Sequence, residues 1–172
     1  MKRLPLFIAA IALFAAGCGS DSPSSLSDNP NRTIFVAALS PGNEVPPVTN
    51  AESTVQGLAT ISIDTTKDGS GNVTAATATF SVSLTGIPTG SAINVAHIHE
   101  GATTCQCPVV VNTSLAAGQA AVSGGAASFQ KETVAVTAEV AQRMINNPGG
   151  FYFNVHSTLN PGGVARGVLV KQ

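Results

Sequence analysis

Charge, cysteine and long apolar stretches are all scarce in this chain of 172 residues. Charged side chains make up 10% of it, and eight Lys and Arg against nine Asp and Glu give a formal net charge of -1. Nucleic-acid binders rely on a basic surface, so this balance excludes them as a class. Beyond the N-terminus, no apolar stretch approaches the roughly 20 residues that a membrane-spanning helix needs.

The motifs of common hydrolases are missing too. The sequence has no Ser-His-Asp spacing, no phosphate-binding glycine loop and no His-Glu-x-x-His segment. Its few acidic residues offer no evident pair for glycoside hydrolysis. Hydrolysis is therefore not expected of this protein.

Residues 1–17 are predicted to be an export signal. Lys2 and Arg3 precede an apolar run over residues 4–16, which is the length of a signal-peptide core. The small residues Ala15-Ala16-Gly17 then lead into Cys18, and this resembles the lipobox of bacterial lipoproteins, where cleavage leaves the cysteine carrying a lipid. The alternative is an ordinary signal peptide with an incidental cysteine.

The chain then divides into a tether and one domain. Residues 18–32 are polar and are predicted to be a flexible tether, and residues 33–172 are predicted to fold. A lipid on Cys18 would hold the domain to a membrane without spanning it. This places the protein in the bacterial cell envelope, on the periplasmic or extracellular face.

Short β-rich segments separated by Gly and Pro turns follow the tether. We expect strands at residues 33–39, 57–64, 73–84, 92–99, 108–111, 119–129, 151–156 and 164–170. Val134–Ile145 has good helix formers and is predicted to be a short helix. Strands at this spacing are typical of a sandwich or barrel, and we predict an all-β Greek-key β-sandwich with one short helix.

All three histidines of the chain lie in predicted strands. Successive side chains of a strand point to opposite faces, so His97 and His99 share one face and Ile98 points to the other. Two imidazoles at that spacing suit copper or zinc. His156 ends the strand 151–156, and three imidazoles would converge on one ion if the two strands meet. The alternative is structural histidines that are hydrogen-bonded to turn backbone.

Several segments resemble the CHRD (chordin) domain. They are Glu44-Val45-Pro46-Pro47-Val48, Ala96-His97-Ile98-His99-Glu100-Gly101, Pro108-Val109-Val110, Asn154-Val155-His156, and Pro161-Gly162-Gly163 followed by Arg166-Gly167. The resemblance extends from about Ile34 to Val170. It implies a secreted module, because the family occurs in chordin and in many bacterial secreted proteins.

A weaker resemblance is to the copper–zinc superoxide dismutases, which are Greek-key sandwiches with a His-x-His pair on one strand. Asn154-Val155-His156, Pro161-Gly162-Gly163 and Arg166-Gly167-Val168-Leu169 carry it. It implies that His97, His99 and His156 hold copper and that Arg166 is catalytic, attracting a small anion such as superoxide. The bridging histidine and the zinc ligands of those enzymes have no counterpart here, so we predict copper binding ahead of dismutation.

Other interpretations of these residues stay open. Arg166 and Glu44 can instead pair with each other and tie a loop to the sheet. Glu100, beside His99, is expected to face solvent or to accept a hydrogen bond from an imidazole N–H. With structural histidines, the domain would be a non-catalytic interaction module that holds a surface protein or a matrix partner.

Cys105 and Cys107 remain if Cys18 carries a lipid, which is an even number in an oxidising compartment. We predict a local disulfide between them. The alternative is that their thiolates bind copper, because they lie only six and eight residues after His99.

Overall fold

A computed structural model describes residues 29–102 and 104–172. The predicted export signal, Cys18 and most of the predicted tether lie outside the described residues. The described part forms two antiparallel sheets that face each other across one apolar core. The predicted all-β sandwich with one short helix is therefore confirmed.

The larger sheet has six strands in the order β10-β1-β2-β3-β7-β6, and the smaller has four in the order β5-β4-β8-β9. The strands are β1 Arg32–Leu39, β2 Gln56–Lys67, β3 Val73–Thr85, β4 Ile93–Glu100, β5 Val109–Asn112, β6 Val122–Ser123, β7 Ala126–Val136, β8 Phe151–Ser157, β9 Ala165–Val168 and β10 Val170–Lys171. One helix, α1, spans Ala138–Asn146, and short 3-10 turns span Pro41–Asn43 and Pro148–Gly150.

Period-two patterning explains why these segments are strands. In β3, buried Ala78, Phe80, Val82 and Leu84 alternate with more exposed hydroxyl side chains, so one face packs on the core and the other meets water. The smaller sheet differs, because every residue of β8 is buried. This central strand is therefore covered on both faces.

The two sheets meet through aromatic and branched side chains. The rings of Phe80 on β3 and Phe153 on β8 stack across the interface with centroids 5.7 Å apart. Ile61 on β2 and Ile98 on β4 belong to the same buried cluster. Ile98 thus lies in the core, as its alternation with the histidines on either side of it predicts.

The helix begins later than the sequence indicates. Residues 134–136 extend β7, where Val134 pairs with Ala78 of β3. Thr137 then caps the helix, its hydroxyl accepting a hydrogen bond from the backbone N–H of Val140 at 3.3 Å. Val134 and Val136 favour a strand because they are β-branched, and the predicted start at Val134 was wrong for that reason. Within the described part of the chain, no helix is long and apolar enough to cross a membrane.

Two predicted strands are each divided. Residues 119–129 contain a tight hairpin at Gly124 and Gly125, both at positive φ, which separates β6 from β7. Residues 164–170 divide between β9 in the smaller sheet and β10 in the larger one. The C-terminal segment therefore joins the two sheets at one edge of the sandwich.

Replacing Phe80 with Ala tests the core. The side chain is fully buried against Phe153, so we expect Phe80→Ala to lower the free energy of unfolding by about 3–5 kcal/mol in urea titrations. Leu58→Ala is the matched control on the neighbouring strand, since Leu58 is 47% exposed, and its loss should stay within about 0.5 kcal/mol. Equal losses would contradict a core built around Phe80.

Candidate metal centre

The covered face of the smaller sheet carries all three histidines. In the register of β4 and β8, His97 lies opposite Asn154, His99 opposite Tyr152, and Val95 opposite His156. The strands β4 and β8 therefore meet as the hypothesis of a shared site requires.

The three imidazoles form one compact group. One ring nitrogen from each of His97, His99 and His156 lies within 4.8 Å of the others. Nδ1 of His97 and Nε2 of His99 are 3.0 Å apart, and the ring centroids of His97 and His156 are 4.5 Å apart. His99 and His156 are buried and His97 is half-buried. This group could hold a metal ion.

Backbone carbonyls fix the orientation of two of the rings. Nδ1 of His99 lies 2.5 Å from the carbonyl oxygen of Cys107, and Nδ1 of His156 lies 2.8 Å from that of Pro161. A carbonyl only accepts, so each Nδ1 carries the proton and each Nε2 keeps its lone pair. Nε2 of His156 is buried without a hydrogen-bond partner among the described residues. An orphaned lone pair of this kind is what a metal ligand needs.

The protonation state suits the same role. Burial, with repulsion from the rings of His156 and His99, lowers the pKa of His97 to about 4. Burial also lowers the pKa of His99 and of His156, and this outweighs the carbonyl hydrogen bonds that favour their charged forms. All three rings are therefore neutral near pH 7, and neutral imidazole is the form that binds metals.

Two side chains on this face were not singled out from the sequence as functional. The ring of Tyr152 stacks on that of His99, with centroids 4.7 Å apart and an angle of 5° between the planes. Asn154 lies between His97 and Arg166 in the sheet register, and its Oδ1 is buried without a partner among the described residues. Asn154 and Tyr152 precede His156 by two and four residues, so strand alternation puts all three on one face. This spacing was the signal that could have identified them.

Arg166 lies on β9 and is buried in an ion pair. Its Nη2 is 2.7 Å from Oε2 of Glu44, and the two side chains are 1% and 3% exposed. Its Nη1 donates to the carbonyl of Cys105 at 2.8 Å, and its guanidinium carbon lies 4.8 Å from the centre of the Tyr152 ring. Arg166 therefore lies near the three histidines. The structure contains the ion pair with Glu44 that was one of the two interpretations of Arg166.

The carboxylate of Glu44 also packs closely against the backbone of Gly163. Gly163 has a φ of +135°, and a side-chain carbon there would lie 2.6 Å from Oε2 of Glu44. Burial raises the pKa of Glu44, whereas the hydrogen bond and the charge of Arg166 lower it. The absence of a side chain at Gly163 thus leaves room for the carboxylate that pairs with Arg166.

Cys105 and Cys107 are paired as a disulfide, with Cα atoms 5.2 Å apart. The backbone of this loop, rather than its sulfur atoms, contacts the centre, through the carbonyls that meet His99 and Arg166. Glu100 accepts two hydrogen bonds of 2.8 Å from Arg143 on α1 instead of one from an imidazole. Of the two alternatives for Glu100, acceptance from an imidazole is not found, and the carbonyls of Cys107 and Pro161 accept from the imidazoles instead.

Fold and site together describe a β-sandwich whose smaller sheet carries a cluster of three histidines. The model of the CHRD domain matches residues 35–169, so the chain belongs to the CHRD-domain family and the predicted resemblance is confirmed. No match to the chain was found among curated proteins or among solved structures.

Breaking the buried ion pair should destabilise the fold strongly. Glu44→Gln and Arg166→Met each leave one buried charge without its partner, and we expect each to cost about 3–5 kcal/mol in the free energy of unfolding. The double variant should lose clearly less than the sum of the two, because no charge is left unpaired. Additive losses in chemical denaturation would show that the two side chains do not interact.

Proposed function

We propose that this CHRD domain binds one copper ion through His97, His99 and His156. The proposal depends chiefly on one observation: the three rings gather within 4.8 Å, with the Nδ1 atoms of two of them held by carbonyls. Most buried polar atoms are hydrogen-bonded, and Nε2 of His156 has no partner among the described residues, which supports a ligand at this position.

The distances fit a metal ion after small movements. Metal–imidazole bonds are about 2.0–2.1 Å long, so two nitrogens on one ion are at most about 4.2 Å apart. The widest separation in the group is 4.8 Å, and side-chain shifts of less than about 1 Å would close it. His97 is the half-buried member and has room for that adjustment.

The donor set favours copper, and Cu(I) in particular. Three neutral imidazoles suit copper and zinc, and copper stands highest among the divalent ions for nitrogen donors. No Cys, Asp or Glu belongs to the group of ligands found among the described residues. A monovalent ion is therefore easier to bury here than a divalent one, because burying an uncompensated charge is costly.

Superoxide dismutation would be an extension of copper binding, with copper supplying one-electron redox chemistry when bound. The role implied for Arg166 is to attract a small anion. Its charge is instead compensated by Glu44 in a buried pair. The geometry thus supports copper binding better than it supports turnover of superoxide.

The proposal also places the domain at the cell envelope. Lys2, Arg3 and the apolar run before Cys18 support export and attachment of a lipid. Eleven residues of the predicted polar tether, 18–28, precede the described part of the chain. A copper-binding domain would then be held near a membrane surface by its N-terminal lipid.

Copper content tests the metal centre. Protein produced without a histidine tag and loaded with Cu(I) should retain about one ion per chain after desalting, whereas His97→Ala/His99→Ala should retain none above background. Gln130→Ala is the control, because Gln130 is exposed on the other sheet. Equal copper in the double variant and the wild type would leave the non-catalytic interaction module as the function.

Labelling with palmitate tests the anchor. We expect a bacterial host to incorporate radiolabelled palmitate into the wild-type chain and not into Cys18→Ser, because the thiol is the site of attachment. Cys105→Ser serves as the control for loss of any other cysteine. Label that persists in Cys18→Ser would refute the anchor and would leave the copper centre untouched.

A further inference from the structure

Tyr152 is the one tyrosine of the chain, and its side chain is fully buried beside the histidines. Its ring lies between groups from both neighbouring strands. His99 on β4 stacks on it at 4.7 Å, and Arg166 on β9 places its guanidinium carbon 4.8 Å from the ring centre. The ring is thus held in one plane by two flat partners, and it holds the plane of the His99 ring in turn.

The hydroxyl of Tyr152 makes a second connection to the same histidine. It donates to the carbonyl of Cys105 at 3.1 Å and accepts from the backbone N–H of Cys107 at 3.1 Å. The carbonyl of Cys107 accepts the hydrogen bond from Nδ1–H of His99. Tyr152 therefore contacts His99 directly through its ring and indirectly through the loop.

We propose that Tyr152 is the positioning residue of the three-histidine centre, fixing both the ring plane and the Nδ1–H tautomer of His99. One consequence, that Tyr152 sets the affinity for copper, rests on the proposed function. Its structural part concerns the metal-free protein and can be tested there.

Two substitutions separate the two connections. Tyr152→Phe keeps a ring to stack on His99 and loses both hydrogen bonds to the loop, so we expect copper affinity to fall roughly 10-fold. Tyr152→Leu loses the stacking as well, and we expect a fall of about 100-fold. A chromogenic Cu(I) chelator in competition with the protein measures both affinities.

Phe153→Leu is the matched control. Phe153 is the next residue of β8, equally buried, but its ring points to the opposite face and packs on Phe80. It should reduce stability in urea while leaving copper affinity at the wild-type value. A fall in affinity as large as that of Tyr152→Leu would assign the effect to general destabilisation and would overturn the proposal.

In the metal-free protein, the tautomer of His99 can be measured, and a change in stability alone would not alter it. Nitrogen-15 spectra of the imidazoles should show His99 in the Nδ1–H tautomer in the wild type and in Phe153→Leu, and a tautomer mixture in Tyr152→Phe. An unchanged His99 spectrum in Tyr152→Phe would refute the positioning role, even if Tyr152→Leu fails to fold. Absence of copper binding in the wild type, with the predicted tautomer change present, would refute the proposed function alone.

Discussion

Burial of β8 on both faces is the constraint on which the rest of this structure depends. The residues of odd number, such as Phe153 and Val155, face the core, and their burial is an ordinary consequence of the hydrophobic effect. The even-numbered residues Tyr152, Asn154 and His156 are polar and buried as well. Because a buried polar group without a partner is costly, this second face must be supplied with hydrogen-bonding groups from elsewhere.

Loops supply most of those groups through their backbone. The carbonyls of Cys105, Cys107 and Pro161 accept hydrogen bonds from Tyr152, His99 and His156, respectively. The loop of Glu44 adds the carboxylate for Arg166. After these contacts are made, few polar atoms on this face stay without a partner among the described residues, and they include Nε2 of His156 and Oδ1 of Asn154. Oε1 of Glu44, in the buried ion pair with Arg166, is a further such atom. Nε2 of His156 belongs to the group of three imidazoles, which could hold a metal ion.

The sequence allowed most strands and the histidine face to be predicted, because both follow from a period of two, whereas the turns that divide residues 119–129 and 164–170 were missed. His97 and His99 had to share a face, and Ile98 had to enter the core. The boundary between β7 and α1 was missed because Val134 fits either pattern and only pairing with Ala78 decides between them. The carbonyls that orient His99 and His156 could not be predicted, because a backbone group in a loop leaves no signature in the residue type. For Arg166, the pairing with Glu44 was one of two interpretations, and the residue types alone could not show that the loop of Glu44 lies within reach of the guanidinium.

Charge balance connects the ion pair to the proposed copper centre. Burial is the main cause of the lowered pKa of His99 and of His156, and the charge of Arg166 adds to it; without its partner, that charge would also repel a metal cation. Glu44, 2.7 Å from the guanidinium, offsets that charge while staying outside the group of metal ligands. The surroundings of the centre are thus close to neutral, and a bound ion adds only its own charge to the interior. A singly charged ion is less costly to bury in such surroundings than a doubly charged one, which agrees with the proposal of Cu(I).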